Sequence, residues 1–155
     1  MILISHRGNI NGKNDVRENS IFYIMEALAM GFDVEIDVWN IDNEWFLGHD
    51  KPQYQINIEW ILNRKSNLWV HCKNTKSVIE LYKMNEDVNF FWHQEDLITI
   101  TSMGYLWIYP GNQPLENTIS VLPELYNEDV SKCVGICSDY ILEYQKNLAV
   151  VNKIP

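Results

Sequence analysis

All four histidines of this 155-residue chain follow short apolar, strand-like runs. Each has a charged neighbour close by: Arg7 after His6, Asp50 after His49, Lys73 after His71, Glu95 after His93. Glu35 and Asp37 sit in a further run, and Asp139 closes the last one. Imidazole is the side chain that exchanges protons near neutral pH. Two carboxylates separated by two positions on a strand project to the same side, where they repel unless a cation or a proton lies between them. Paired oxygen ligands of this kind suit Mg²⁺ or Ca²⁺. Proton transfer beside a divalent cation is the chemistry such a set offers. Taken singly, each residue has a plainer reading. A strand-end histidine is commonly a hydrogen-bonded surface residue, an Asp-x-Glu-x-Asp alternation is commonly a solvated strand face, and Asp139 can cap a turn. Order and combination along one chain favour the chemical reading.

Positioning these residues requires a strand before each. MILIS is an apolar, β-branched start that ends at His6-Arg7-Gly8 and reads as a buried strand. The polar, Gly/Asn-rich stretch that follows is a loop. Asn19 or Ser20 can cap a helix running to about Met30, with Ile21, Ile24, Met25 and Leu28 on one face. FDVEIDVWN alternates, with Phe32, Val34, Ile36 and Val38 opposite Asp33, Glu35 and Asp37. EWFLGHD is a returning strand. A short helix then carries Ile58, Ile61 and Leu62, and LWVHCKN is a third strand. A helix from Thr75 or Lys76 presents Val78, Ile79, Leu81 and Tyr82. NFFWHQED, LITITS, YLWIYPG, TISVLPE and KCVGICSDYI read as closely spaced strands, with a Met103-Gly104 turn and a short helix near Glu143 to Asn147.

Strand, helix, strand, helix is the α/β signature. The expected fold is a TIM-barrel-like (β/α) barrel, shortened, with fewer helices or strands than eight full units, because a full barrel takes roughly 250 residues. Residues 1–155 are expected to form a single domain. Such a barrel gathers the C-terminal ends of its strands on one face, where the residues above would meet.

Lys and Arg number 12 against 21 Asp and Glu, a formal charge of −9. That balance argues against a nucleic-acid partner and against docking on anionic lipid. No apolar run approaches the roughly 20 residues of a membrane span, and Arg7 interrupts the apolar start too early for a secretory leader. Cys72, Cys133 and Cys137 cannot all pair within one chain and have poor zinc spacing. A cytoplasmic protein with reduced, buried thiols is expected.

His6-Arg7-Gly8, Glu18-Asn19-Ser20, Ala29-x-Gly31, Glu35-Ile36-Asp37-Val38 and Gly48-His49-Asp50, in that order within the first 50 residues, resemble the glycerophosphodiester phosphodiesterase family of phosphatidylinositol-phospholipase-C-like barrels. Cys137-Ser138-Asp139-Tyr140 is similar to the family's final strand, with Ile141 where proline is usual. The resemblance implies that His6 and His49 act as acid and base, that Arg7 holds the phosphate, and that Glu18 lies near that arginine or the metal. It implies that Glu35 and Asp37 bind one divalent cation: Mg²⁺ or Ca²⁺ first, with Mn²⁺ also in range. The family's third strand offers Glu-x-Lys. Here it reads His71-Cys72-Lys73, so the lysine is kept as a substrate-binding candidate and the acidic ligand is not. His71 ligates directly, water fills the position, or the metal is held more weakly. His93 is a further substrate-binding candidate, in a segment that otherwise reads as a polar turn.

The expected function is metal-dependent hydrolysis of a small, soluble glycerophosphodiester-like molecule. Two other readings stand beside it: a weak or inactive phosphodiester-binding barrel, and a lyase or phosphomonoesterase on the same scaffold.

Overall fold

Ten strands and four helices occur within residues 1–151, the part of the chain that the computed structural model describes. The apolar opening forms β1 (Ile2–His6), and α1 (Ile21–Ala29) follows the polar loop. β2 (Asp33–Ile41) is the longest strand. β3 (Glu44–Leu47) and β4 (Tyr54–Ile56) precede α2 (Ile58–Leu62), whose cap Asn57 accepts from the Glu59 N–H. β5 (Leu68–Cys72) leads to α3 (Thr75–Met84), capped by Asn74, which accepts from the Ser77 N–H. β6 (Asn89–Trp92), β7 (Ile98–Ile100), β8 (Leu106–Ile108), β9 (Thr118–Val121) and β10 (Gly135–Ser138) come next, and α4 (Ile141–Val151) is last.

The strands form one mixed, curled sheet. β6, β5, β2, β1, β10, β9 and β8 are parallel neighbours in that order. β7 pairs antiparallel with β8 at one edge. The far half of β2 leaves the curl and pairs antiparallel with β3, which pairs with β4. The curl brings β6 toward the β7–β8 turn, where the Ser102 N–H donates to the Phe90 carbonyl at 2.7 Å. No ladder joins β6 to β7 among the described residues.

This corrects the expected TIM-barrel-like fold: the molecule is a mostly-sheet, mixed half-barrel, not a helix-alternating barrel. Only α1 and α3 act as long crossover helices. From β6 to β10 the chain passes from strand to strand through turns, loops and one short 3₁₀ turn (Pro123–Leu125). Too little chain is left there to build covering helices.

Inside the curl, the period of two decides what each strand contributes. Ile4, Trp69, Phe91, Trp107, Ile119, Val121 and Cys137 form one buried cluster. The outer face of β2 and β5 packs with Ile24, Ala27, Ile61 and Leu81 in a second cluster beneath α1 and α3. β2 is therefore buried on both faces, and its acidic side is not solvated: Glu35 and Asp37 are 2% and 0% exposed. The apolar face predicted for α3 is rotated, because Ser77 and Leu81 are buried while Ile79 and Tyr82 are exposed. β4 was not anticipated. Cys72, Cys133 and Cys137 are buried and unpaired. Among the described residues, no helix is long and apolar enough to cross a membrane.

Candidate functional site

Two positions beyond the apolar cluster, on the same inward face, the strands turn polar. Ile4 is followed by His6, Trp69 by His71, Phe91 by His93 and Cys137 by Asp139. Parallel register sets His6 beside Glu35 and Asp37 beside His71.

His6 ends β1, and the backbone turns at once. Arg7 takes a left-handed φ of 54° and Gly8 a φ of 92°. A Cβ at Gly8 would stand 3.0 Å from the Tyr23 ring and 3.1 Å from its carbonyl carbon, so close packing on α1 selects glycine. The strained Arg7 is fixed from both sides. Its N–H donates to the Glu35 carbonyl, and its carbonyl accepts the Asn19 N–H, each at 3.0 Å. Its Nη1 donates to Glu18 Oε2 at 3.2 Å, and its Nε lies 2.9 Å from Asp37 Oδ2 as an ion pair. Burial opposes the Arg7 charge, but Asp37, Glu35 and Glu18 outweigh it and raise its pKa.

His6 Nδ1 lies 2.7 Å from Asp139 Oδ1, which also accepts from Asn9 Nδ2 at 2.8 Å. Burial pushes the Asp139 carboxyl up, but hydrogen bonds from His6 and Asn9 and the charge of Arg7 prevail and hold it below its ordinary value. An ionised Asp139 can only accept, so Nδ1 of His6 carries the proton and Nε2 is left for other work. That nitrogen lies 4.0 Å from Glu35 Oε2. Asn9 also donates to Glu18 Oε1 at 2.8 Å.

Asp37 is held from every side. Asn19, at a left-handed φ of 60°, donates Nδ2 to its Oδ2 at 2.8 Å and accepts its N–H at 2.9 Å. His71 Nδ1 is 3.0 Å and Lys73 Nζ 3.4 Å from Oδ1. Full burial favours the neutral acid, yet the His71 hydrogen bond and the charges of Arg7, His71 and Lys73 hold this carboxyl well below the usual range.

The other His71 nitrogen, Nε2, is 3.1 Å from the His93 carbonyl. A carbonyl only accepts, so Nε2 is the donor and Nδ1 faces the carboxylates, 3.7 Å from Glu35 Oε1. This arrangement fixes the tautomer of many metal-binding imidazoles. Burial opposes charge on His71, but hydrogen bonds to Asp37 and Glu35 raise its pKa to about 9.

Glu35, Asp37 and His71 each offer one ligand atom, all within 4.8 Å of one another. Glu35 Oε2 is buried without a hydrogen-bond partner, which a cation would remedy, and Asp37 Oδ1 meets only the His71 and Lys73 nitrogens. Formal charge points the same way. Four buried carboxylates, Glu18, Glu35, Asp37 and Asp139, face two permanent cations, Arg7 and Lys73. A proton on His71 offsets half of the excess, and a divalent ion offsets all of it. The trio therefore fits a metal.

His49 stands on the turn after β3. The Gly48 N–H donates to the Asp37 carbonyl at 3.1 Å, and the Gly48 carbonyl accepts Trp39 Nε1 at 2.6 Å. A Cβ at Gly48 would clash with the Lys51 carbonyl oxygen. His49 Nδ1 is 2.7 Å from Asp50 Oδ1, on a more open surface than His6.

His6, Arg7, Glu35, His49, His71, Lys73 and His93 line one wall of a cavity of about 540 Å³, and the opposite wall is largely aromatic and aliphatic. Two candidates lie behind this wall: Glu18 behind Arg7, and Asp37, the fully buried member of the trio. In the segment after β6, His93 and Gln94 reach the cavity while Glu95 and Asp96 are exposed outside its lining. Both His93 ring nitrogens lack a hydrogen-bond partner, and burial followed by the neighbouring His71 charge lowers its pKa. Asn9 had no signal in the sequence. Asn19 had one, but its role is to hold Asp37. Ser20 is the α1 cap, with no side-chain cap bond.

No protein-family model, curated protein or solved structure matches the chain.

Proposed function

We propose that the chain is a metal-dependent phosphodiesterase acting on a small soluble diester. The observation that carries this reading is the buried Glu35/Asp37/His71 trio, with Glu35 Oε2 unpartnered, set beside two cationic side chains at one cavity wall. An anion held there meets Arg7 and Lys73. The resemblance of the His6-Arg7-Gly8 and Gly48-His49-Asp50 turns to glycerophosphodiester phosphodiesterases supports the same conclusion.

Glu35, Asp37 and His71 would hold a divalent ion, which when bound would supply Lewis-acid charge neutralisation for a phosphate. Arg7 and Lys73 add to this as charge shifts in the transition state. His6 Nε2, kept free by Asp139, takes the proton of the attacking hydroxyl. His49, on the more open turn, gives a proton to the leaving alcohol.

The test is a panel of phosphodiesters assayed with Mg²⁺, Mn²⁺ or Ca²⁺ against an EDTA control. Turnover should need the metal, and His6→Ala and His49→Ala should each lower it by roughly 10²–10⁴-fold. Metal-dependent diester binding with no turnover in the unmodified protein would move the conclusion to a binding module.

A further inference from the structure

The wall facing the cationic side chains is built from rings. Tyr109 follows β8, and Leu125 and Tyr126 come from the 3₁₀ turn after β9. Tyr109, Leu125 and Tyr126 are 49%, 63% and 65% exposed. Large apolar side chains grouped and open at a cavity mouth mark a binding surface.

This surface is held in place. Glu128 Oε1 accepts the N–H groups of Gly111 and Gln113 at 2.7 and 3.1 Å, and its Oε2 accepts Ser120 Oγ at 3.2 Å. One buttress thus ties the loop after β8 to β9 and to the segment carrying Tyr126. A Cβ at Gly111 would lie 3.6 Å from the Tyr126 ring, so the two loops are in van der Waals range. Tyr109 in turn lies 5.0 Å from the His93 ring, centroid to centroid.

We propose that the cavity takes a phosphoester whose alcohol carries a flat aromatic or heteroaromatic ring, seated against Tyr109 and Tyr126 while Arg7 and Lys73 hold the phosphate. This deepens the phosphodiesterase reading and rests on it for the phosphate end. A volume of about 540 Å³ accommodates a phosphate and a ring system together. A polyol such as glycerol would lose its water against this wall with few partners to replace it. A ring loses little and gains stacking.

The test needs no turnover. Calorimetry on the full chain with Mn²⁺ compares phenyl phosphate, adenosine 5′-monophosphate, glycerol 3-phosphate, octyl phosphate and inorganic phosphate. At least one ring-bearing phosphate should bind roughly 10- to 100-fold more tightly than glycerol 3-phosphate, the scale of one aromatic stack. The better of the two shows whether the ring is a simple aryl group or a nucleoside base. Tyr126→Ala, which truncates a side chain exposed to solvent, should collapse the ratio of ring-phosphate to inorganic-phosphate affinity, and Tyr109→Ala should do the same.

The proposal is overturned by a ring margin below threefold, by octyl phosphate binding as tightly as the best ring, or by a margin that survives both substitutions together. It is also overturned if none of the phosphates binds. A ring margin without hydrolysis of any diester keeps the ring seat and removes the catalytic reading. Turnover of glycerol diesters without a ring margin does the reverse.

Discussion

Nδ1 of His6 and Oδ1 of Asp139 are 2.7 Å apart, joining the end of β1 to the residue after β10. The parallel pair of Ser5 with Ser138 makes this contact inevitable one step further along both strands. Asp139→Asn keeps the shape but removes the charge and offers an amide that can stabilise the wrong tautomer. Expected is a loss in kcat on the order of 10²-fold or more. The acidic limb of the pH–rate profile should shift at the same time. A fall in activity with an unmoved profile would make Asp139 a structural residue only.

Proton and metal compete for His71. In the metal-free protein its pKa is raised to about 9, above the ordinary value near 6.5. The stabilisation from that proton is therefore complete below about pH 6.5 and is lost as pH rises through about 9. In EDTA, Tm should fall between pH 6.5 and 9.5, and His71→Gln should flatten that fall. Because a bound metal takes the proton's place, Mn²⁺ should raise Tm more at pH 9 than at pH 6.5. Equal gains at both values would remove His71 from the ligand set.

Much of the site was legible because strands repeat every two residues. Glu35 and Asp37 had to share a face, and His6, His71 and His93 each had to stand at or just past the end of an apolar strand. What could not be read was how far the sheet curls and what fills it. That depends on register between distant strands and on Trp69, Phe91 and Trp107 packing together inside, with ring centroids of Trp107 4.6 Å from Phe91 and 5.8 Å from Trp69. The expectation of a barrel followed from the β1–α1–β2 and β5–α3–β6 units, and it failed between β6 and β10, where no α-helix separates the strands. The face of α3 was misjudged for a related reason. Apolar residues at 78, 79, 81 and 82 allow more than one stripe, and only the sheet beneath selects Leu81.

Arg7 offers a test of phosphate binding that preserves charge. Its guanidinium spans two carboxylates, Glu18 through Nη1 and Asp37 through Nε. Arg7→Lys keeps one positive charge but cannot hold both partners and a phosphate, since an ammonium lacks the planar fork. A rise in Kd for inorganic phosphate of about tenfold or more is expected from calorimetry. An affinity equal to that of the unmodified protein would assign phosphate binding to Lys73 alone.

Asn19 separates the electrostatics of the trio from its backbone. It donates to Asp37 Oδ2 and accepts the Asp37 N–H from a left-handed conformation that asparagine, aspartate and glycine all tolerate. Asn19→Gly leaves the turn intact but strips Asp37 of a donor and its N–H of an acceptor, a cost of about 1–3 kcal/mol for buried groups left unpaired. Asn19→Asp keeps the acceptor but places a second carboxylate against Asp37 Oδ2. Urea denaturation in EDTA should therefore rank the proteins as unmodified, then Asn19→Gly, then Asn19→Asp. A divalent ion should narrow the gap between the last two, because added positive charge relieves the repulsion that sets Asn19→Asp apart. If Asn19→Asp is as stable as the unmodified protein in EDTA, Asp37 is not held as an anion.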